Sequence, residues 1–274
     1  MILLAVSSTL GGCVVMAAAL RWSGSILSGA RHHKLNYRGR NVLATAGVLL
    51  LGPVGVGALA ALNGISDEGY RVAGTMASAV AVMCVLGLID DLYGSRRAGG
   101  LAGHFRELLN GHMTTGMVKA AGGVVVGLAS AWGIGRRGIW ILVGGAVIAL
   151  AANMANLLDL RPGRTAKVWF PCAFALGWLN VPGRGEPVLW AVAGGMAVFL
   201  IAELRERVML GDAGANLLGA VVGAAAVASL GHTALLTCAA LLFALTLVSE
   251  LVSFSRIIEA TPPLRWLDQL GRAD

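Results

Sequence analysis

Apolar runs dominate this chain and leave no stretch long enough for a soluble core. Nine follow one another, at roughly 2–20, 42–62, 72–89, 117–135, 139–157, 167–181, 187–202, 214–230 and 233–253. Several approach the ~20 residues that an α-helix needs to cross a bilayer. The runs at 167–181 and 187–202 are shorter. None alternates as a transmembrane β-strand does. With 57% hydrophobic and 13% charged residues over 274 positions, the composition is that of a polytopic membrane protein. The sequence therefore predicts an all-α fold. It is a transmembrane bundle of about nine spans, forming one integral-membrane domain over 1–274. Most of the 39 glycines read as packing positions; Gly219-x-x-x-Gly223 has the spacing that lets two helix backbones approach closely.

Charge orients the bundle. With the N-terminus outside, the inner segments 21–41, 90–119, 158–167, 203–213 and 254–274 hold seventeen Lys/Arg. The outer turns hold only Arg71, Arg136, Arg137 and Arg184. This asymmetry predicts an outside N-terminus and a cytoplasmic C-terminus. The net charge of +7 then reflects topology and attraction to anionic lipid rather than nucleic-acid binding, for which the chain has no basic soluble domain.

Several familiar chemistries are not suggested. Cys13, Cys84, Cys172 and Cys238 all lie in apolar runs without metal-ligand spacing, so they read as small packing residues. Leu10-Gly11-Gly12-Cys13 has a lipoprotein-like outline, but no positive segment precedes it, and the first span reads as mature protein. The five histidines contain no i,i+4 pair, and no glycine-rich phosphate loop or Gly-x-Ser-x-Gly turn is present.

Polarity concentrates at three places, each at the inner end of a span. "LGLIDDLYG" ends the third span with Asp90 and Asp91. "NMANLLDL" ends the fifth with Asn153, Asn156 and Asp159 at three-residue steps, a drifting stripe along one side of a helix. "MLGDAGANLLG" opens the eighth with Asp212, and Asn216 follows one turn on. Alone, each has an ordinary explanation: a solvated helix end, a helix N-cap for Asp212, or interhelical hydrogen bonds for the asparagines. Together on one membrane face, in a chain with only fourteen acids, they point to function. Carboxylates near Lys34, Arg38, Arg40, Arg106, Lys119, Arg161, Arg164 and Lys167 suit a hard divalent cation and phosphate, since Mg²⁺ takes one or two carboxylates and completes its shell with phosphate oxygens and water. Phosphoryl transfer needs little beyond a positioned nucleophile, metal and cations. Packing should bring Asp90, Asp91, Asp159 and Asp212 together at the inner mouth of a groove.

These three motifs, in this order, resemble the polyprenyl-phosphate N-acetylhexosamine-1-phosphate transferases. That superfamily includes phospho-N-acetylmuramoyl-pentapeptide transferase and the undecaprenyl-phosphate GlcNAc-1-phosphate transferases. The likeness runs from "LNYRGRNVLATAG" to "SFSRIIEATPPLRWLDQLGR". It implies transfer of a sugar-1-phosphate from a UDP-amino sugar to a polyprenyl phosphate, with release of UMP, at the cytoplasmic face. The cofactor implied is Mg²⁺, with Mn²⁺ as a substitute. The implied partners are lipid phosphate, UDP-sugar and membrane, with a homodimer as one possible assembly. Asp90 and Asp91 match the paired aspartates of the family, one activating the lipid phosphate or helping the metal. Asn156 and Asp159 match its Asn-x-x-Asp motif, which bears on nucleotide sugar and catalysis, and Asp212 matches its metal ligand. Arg106 falls where a substrate-contacting lysine is common. Asn153, Asn216, Lys119 and Arg38 complete the expected substrate-binding set. Covalent aspartyl and direct-attack mechanisms are both compatible with these residues.

The chain departs from the family in two places. Pro162 stands where a further aspartate often follows Asp159, and 254–274 carries no histidine where the family has a nucleotide-sugar cluster. The chain as given ends where a tenth span would begin. A second reading thus stays open: a relative that binds prenyl phosphate or organises a partner without catalysis. A third is a small transporter using Asp90, Asp159 and Asp212 as an ion path, though transporters place such groups nearer the bilayer midplane.

Overall fold

The computed structural model describes residues 2–62, 66–94, 107, 112–179 and 186–272. Over their described residues the predicted apolar runs are helical, except that 42–62 opens in a short strand and a turn. The long helices are α1 (Ile2–Ile26), α3 (Asp67–Tyr93), α4 (Thr115–Ile134), α5 (Ile139–Leu158), α7 (Glu186–Leu204), α8 (Gly211–Ser229) and α9 (His232–Leu251). These seven are long and apolar enough to cross a membrane. The run predicted at 187–202 gains length at both ends, because Glu186 and Glu203 are taken into the helix and buried. Two apolar segments are shorter. One is a 3₁₀ turn, Ala46–Leu50, leading into α2 (Leu51–Ala61); the other is the 16-residue α6 (Arg164–Leu179). Sixteen α-helical residues rise about 24 Å, less than the ~30 Å hydrocarbon layer. Two short helices, α10 (Phe254–Ala260) and α11 (Pro262–Gln269), follow the last span.

Local chemistry fixes the helix ends that matter. Ser66 caps α3 by accepting the Gly69 N–H, with Asp67 and Glu68 in the first turn, where negative charge suits the helix dipole. Thr114 caps α4 in the same way, and Gly135, with φ of 116°, ends it.

Helix α8 is the axis of the bundle. It is buried along nearly its whole length and touches α3, α4, α5, α6 and α7. Its small residues explain this position, since with little side chain the neighbouring backbones come close. A Cβ at Gly219 would overlap the Ala151 carbonyl, and one at Gly223 would meet the Ile148 Cα, so the Gly219-x-x-x-Gly223 face seats α5. Trp169 of α6 donates its Nε1–H to the Leu218 carbonyl at 2.8 Å. On α3, a Cβ at Gly87 would strike the backbone of Asp212 and Ala213. Gly87→Val should therefore cost about 1–3 kcal/mol of stability, because backbone cannot yield as a flexible side chain can. Thermal unfolding in detergent measures this; an unchanged midpoint would mean that α3 and α8 do not touch at this point.

Between α1 and α2 lies a structure the apolar pattern does not announce: a hairpin of β1 (His33–Leu35) and β2 (Asn41–Leu43), with Lys34 opposite Val42. Gly39, with φ of 75°, makes the turn. Its buried edge, Val42 and Leu43, docks beside Val208, and the Met209 N–H donates to the Leu43 carbonyl at 2.8 Å. The hairpin thus sits against the segment that leads into α8. Nearby, Glu206 adopts φ of 53°, a conformation that costs a non-glycine residue energy. Its carboxylate is held by Asn36, Tyr37, Arg38 and Arg40 of the hairpin.

Candidate functional site

Four elements meet at one end of the bundle: the C-terminal turn of α3, the first turns of α4 and α8, and the hairpin. Asp90 and Asp91 are adjacent on α3, but successive helix positions lie about 100° apart, so they face different neighbours. Asp90 turns to α4. Its carboxylate accepts a hydrogen bond from the Thr115 hydroxyl at 2.5 Å and one from Lys119 Nζ at 2.7 Å. Lys119 also bonds the Asp212 carboxylate. One ammonium therefore bridges two carboxylates from two spans, each partly open to solvent, with side chains 17% and 29% exposed.

Asp91 turns to α8 and the hairpin and is only 5% exposed. One oxygen accepts the Ala213 N–H at 3.0 Å, the other accepts from Lys34 Nζ at 3.1 Å. Asp91 thus caps the first turn of α8 from outside, satisfying an amide that has no intrahelical partner. The residue before α8, Leu210, provides no side-chain cap, and Asp212 lies inside the first turn. The reading of Asp212 as an N-cap is therefore corrected: Asp91 does that work, which leaves the Asp212 carboxylate free to face Lys119.

Asp159 ends α5 beside these groups. Burial raises its carboxyl well above the ordinary range, reinforced by the charges of Glu203, Asp212 and Asp91 and opposed by a hydrogen bond from the Gly211 N–H. Next to it opens a small cleft lined by Asn36, Tyr37, Arg161, Pro162, Glu203 and Glu206, among others. Arg161 lies over the Tyr37 ring at 4.4 Å. Glu203 is buried, and its Oε2 has no hydrogen-bond partner among the described residues.

The remaining predicted positions divide. Asn216 is buried on α8, its Nδ2 without a partner among the described residues. Asn156 is half-buried and Asn153 exposed; neither side chain hydrogen-bonds to the acidic cluster. Arg38 pairs with Glu206 at 3.2 Å, so it braces the hairpin. Arg106 lies outside the described residues. Lys119 turns into the cluster. Thr115, Glu203 and Glu206 were not singled out from the sequence. Thr115 had no signal beyond lying one turn before Lys119, while the acids at 203 and 206 read as loop residues after an apolar run.

Among the described residues, no three His, Cys, Asp or Glu side chains are arranged to hold a metal ion by themselves. Mg²⁺ does not require that many. Asp90 and Asp212 offer hard oxygen donors to the position that Lys119 Nζ holds between them. This donor set fits Mg²⁺ held by Asp212 and Asp90. Compared with known proteins, the chain matches no family model and no curated protein.

Proposed function

We propose that this protein is a Mg²⁺-dependent polyprenyl-phosphate glycosyl-1-phosphate transferase, a nine-span bundle with its site at the cytoplasmic face of the plasma membrane. The observation that carries the proposal is the meeting of Asp90, Lys119 and Asp212 at one bundle end, with Asp91 and Asp159 beside them. The reaction joins an oxygen of the lipid phosphate to the sugar-bearing phosphorus of a UDP-amino sugar and breaks its bond to UMP. Bound Mg²⁺ would neutralise and align the diphosphate oxygens. Asp90 is assigned either to the proton of the lipid phosphate or, with Asp212, to the metal. Lys119 offers its ammonium to phosphate charge as the leaving group departs. Asp91 holds the first turn of α8, and so the aim of Asp212. The nucleotide sugar is assigned to the side of the cluster where Asp159 and Asn156 share a helix end.

A second reading has one observation in its favour: Lys119 satisfies Asp90 and Asp212 without any ligand, as a purely structural ion pair would. Incubating purified protein with undecaprenyl phosphate, Mg²⁺ and a panel of UDP-sugars separates the two. Catalysis expects lipid-dependent UMP release with at least one donor. Silence with every donor, while the lipid phosphate still binds, would leave the non-catalytic reading.

A further inference from the structure

The last span leads at once into α10 and α11, and α11 has two unlike sides. On one, Asp268 is buried. Arg164 grips it with Nε at 2.8 Å and Nη2 at 3.0 Å, Arg272 adds a bond at 2.6 Å, and Lys167 Nζ donates to its backbone carbonyl at 2.7 Å. Arg164 also donates to Ser255 of α10 at 2.9 Å. On the other side stand Pro263, Trp266, Leu267 and Leu270, at helical spacing and exposed, Trp266 by 63%. Arg164 and Lys167 form the first turn of α6, so these bonds fix α11 at the level of the span ends.

We propose that α10 and α11 lie in the plane of the membrane at that level, with Pro263, Trp266, Leu267 and Leu270 inserted in the interfacial layer of the bilayer. A short helix with one apolar and one anchored polar side is at home there, and tryptophan favours that depth. The surface is continuous with a lipid-facing one: α9 is largely exposed, and Leu247, Val248 and Leu251 carry its apolar side to the start of α10. Exposed Arg256 and Arg265 can reach headgroup phosphates while their stems stay apolar. Arg272 also donates to the Pro162 carbonyl at 3.2 Å, and Arg161 pairs with Glu259 at 3.3 Å. A helix seated in the membrane surface therefore braces the turn that follows Asp159. This inference does not depend on the transferase reading.

The test uses the full chain in nanodiscs of phosphatidylcholine brominated at shallow, middle or deep acyl positions. Emission of the wild type minus that of Trp266→Phe isolates the Trp266 signal. Shallow bromines are expected to quench this difference roughly two-fold or more, and deep bromines much less, matching an apolar face ~5–10 Å into the headgroup–acyl boundary. Equal signal in brominated and plain lipid overturns the proposal, whether water or a second copy covers the face; strongest quenching by deep bromines overturns it too. Leu267→Glu keeps every tryptophan and supplies an independent reading should Trp266→Phe fold poorly. It is expected to lower shallow quenching of total emission, and no change in quenching counts against the membrane seat.

Discussion

Asp212→Asn protein is expected to fold, insert in the membrane and lose at least about 100-fold in UMP release, more than the 10–100-fold typical of disturbing a group behind a metal ligand. The structure sharpens this expectation. Had Asp212 been the N-cap of α8, asparagine would serve nearly as well and little would change. It is not the cap: the Ala213 N–H is taken by Asp91, and Asp212 points to Lys119. The substitution leaves the cap intact and keeps the size of the side chain. What it removes is one anionic oxygen from the position shared with Asp90. A neutral amide is a much poorer ligand for Mg²⁺ than a carboxylate, and raising the Mg²⁺ concentration is not expected to restore turnover. The fold should barely respond, since the ion pair with Lys119 is partly exposed and such pairs contribute about 0–1 kcal/mol. Near-normal turnover in a transferase-active protein would remove Asp212 from the site.

Asp91→Asn provides the contrast. The asparagine carbonyl can still accept the Ala213 N–H, while Lys34 loses its charge partner. If Asp91 acts by holding α8, its loss of activity should be well below that of Asp212→Asn.

The parts of this arrangement legible in the sequence are those written in local pattern. Apolar mass alone marks a helix that crosses a membrane, so the runs could be placed without knowing their neighbours. Because the aspartates sit at span ends on one side, their meeting could be anticipated as well. The division of labour within Asp90-Asp91 could not. Adjacency in sequence suggests a pair acting together, whereas the helical twist sends one side chain to α4 and the other to α8. The hairpin was hidden for a different reason. Strands of three residues carry no readable alternation, and what holds them is contact with Val208 and Glu206, far along the chain. Glu203 was obscured by its position at the end of an apolar run, where an acid ordinarily marks the return to water. Here the acid lies in the last turn of the helix and is buried.

Arg164 and Asp268 are 104 positions apart, and nothing near either residue announces the other. Their pairing leads to the second large effect. Arg164 is 3% and Asp268 8% exposed. Breaking a buried ion pair from one side costs about 3–5 kcal/mol, because the survivor keeps its desolvation penalty without its partner. Arg164→Ala is accordingly expected to destabilise the protein by about 3 kcal/mol, the low end of that range because Arg272 remains on Asp268. Arg164→Lys should not rescue it, since an ammonium cannot reproduce the two-pronged contact of Nε and Nη2. Replacing both partners, as in Arg164→Met with Asp268→Leu, should recover only part of the loss, because Arg272 then loses its carboxylate partner. Acid gives the same answer without mutation. Burial pushes the Asp268 carboxyl up, but the bonds and charges of Arg164 and Arg272 outweigh it and hold the carboxyl below its ordinary value. A lowered folded value means that the stabilisation is complete above the unfolded value of about 3.9 and drains away as pH falls through the folded one. Thermal unfolding in detergent, followed from neutral pH to below pH ~3, should show the gap between wild type and Arg164→Ala narrowing only at the acid end. A gap that stays constant through that range would mean that the arginine stabilises the bundle by packing, with its charge on Asp268 contributing nothing.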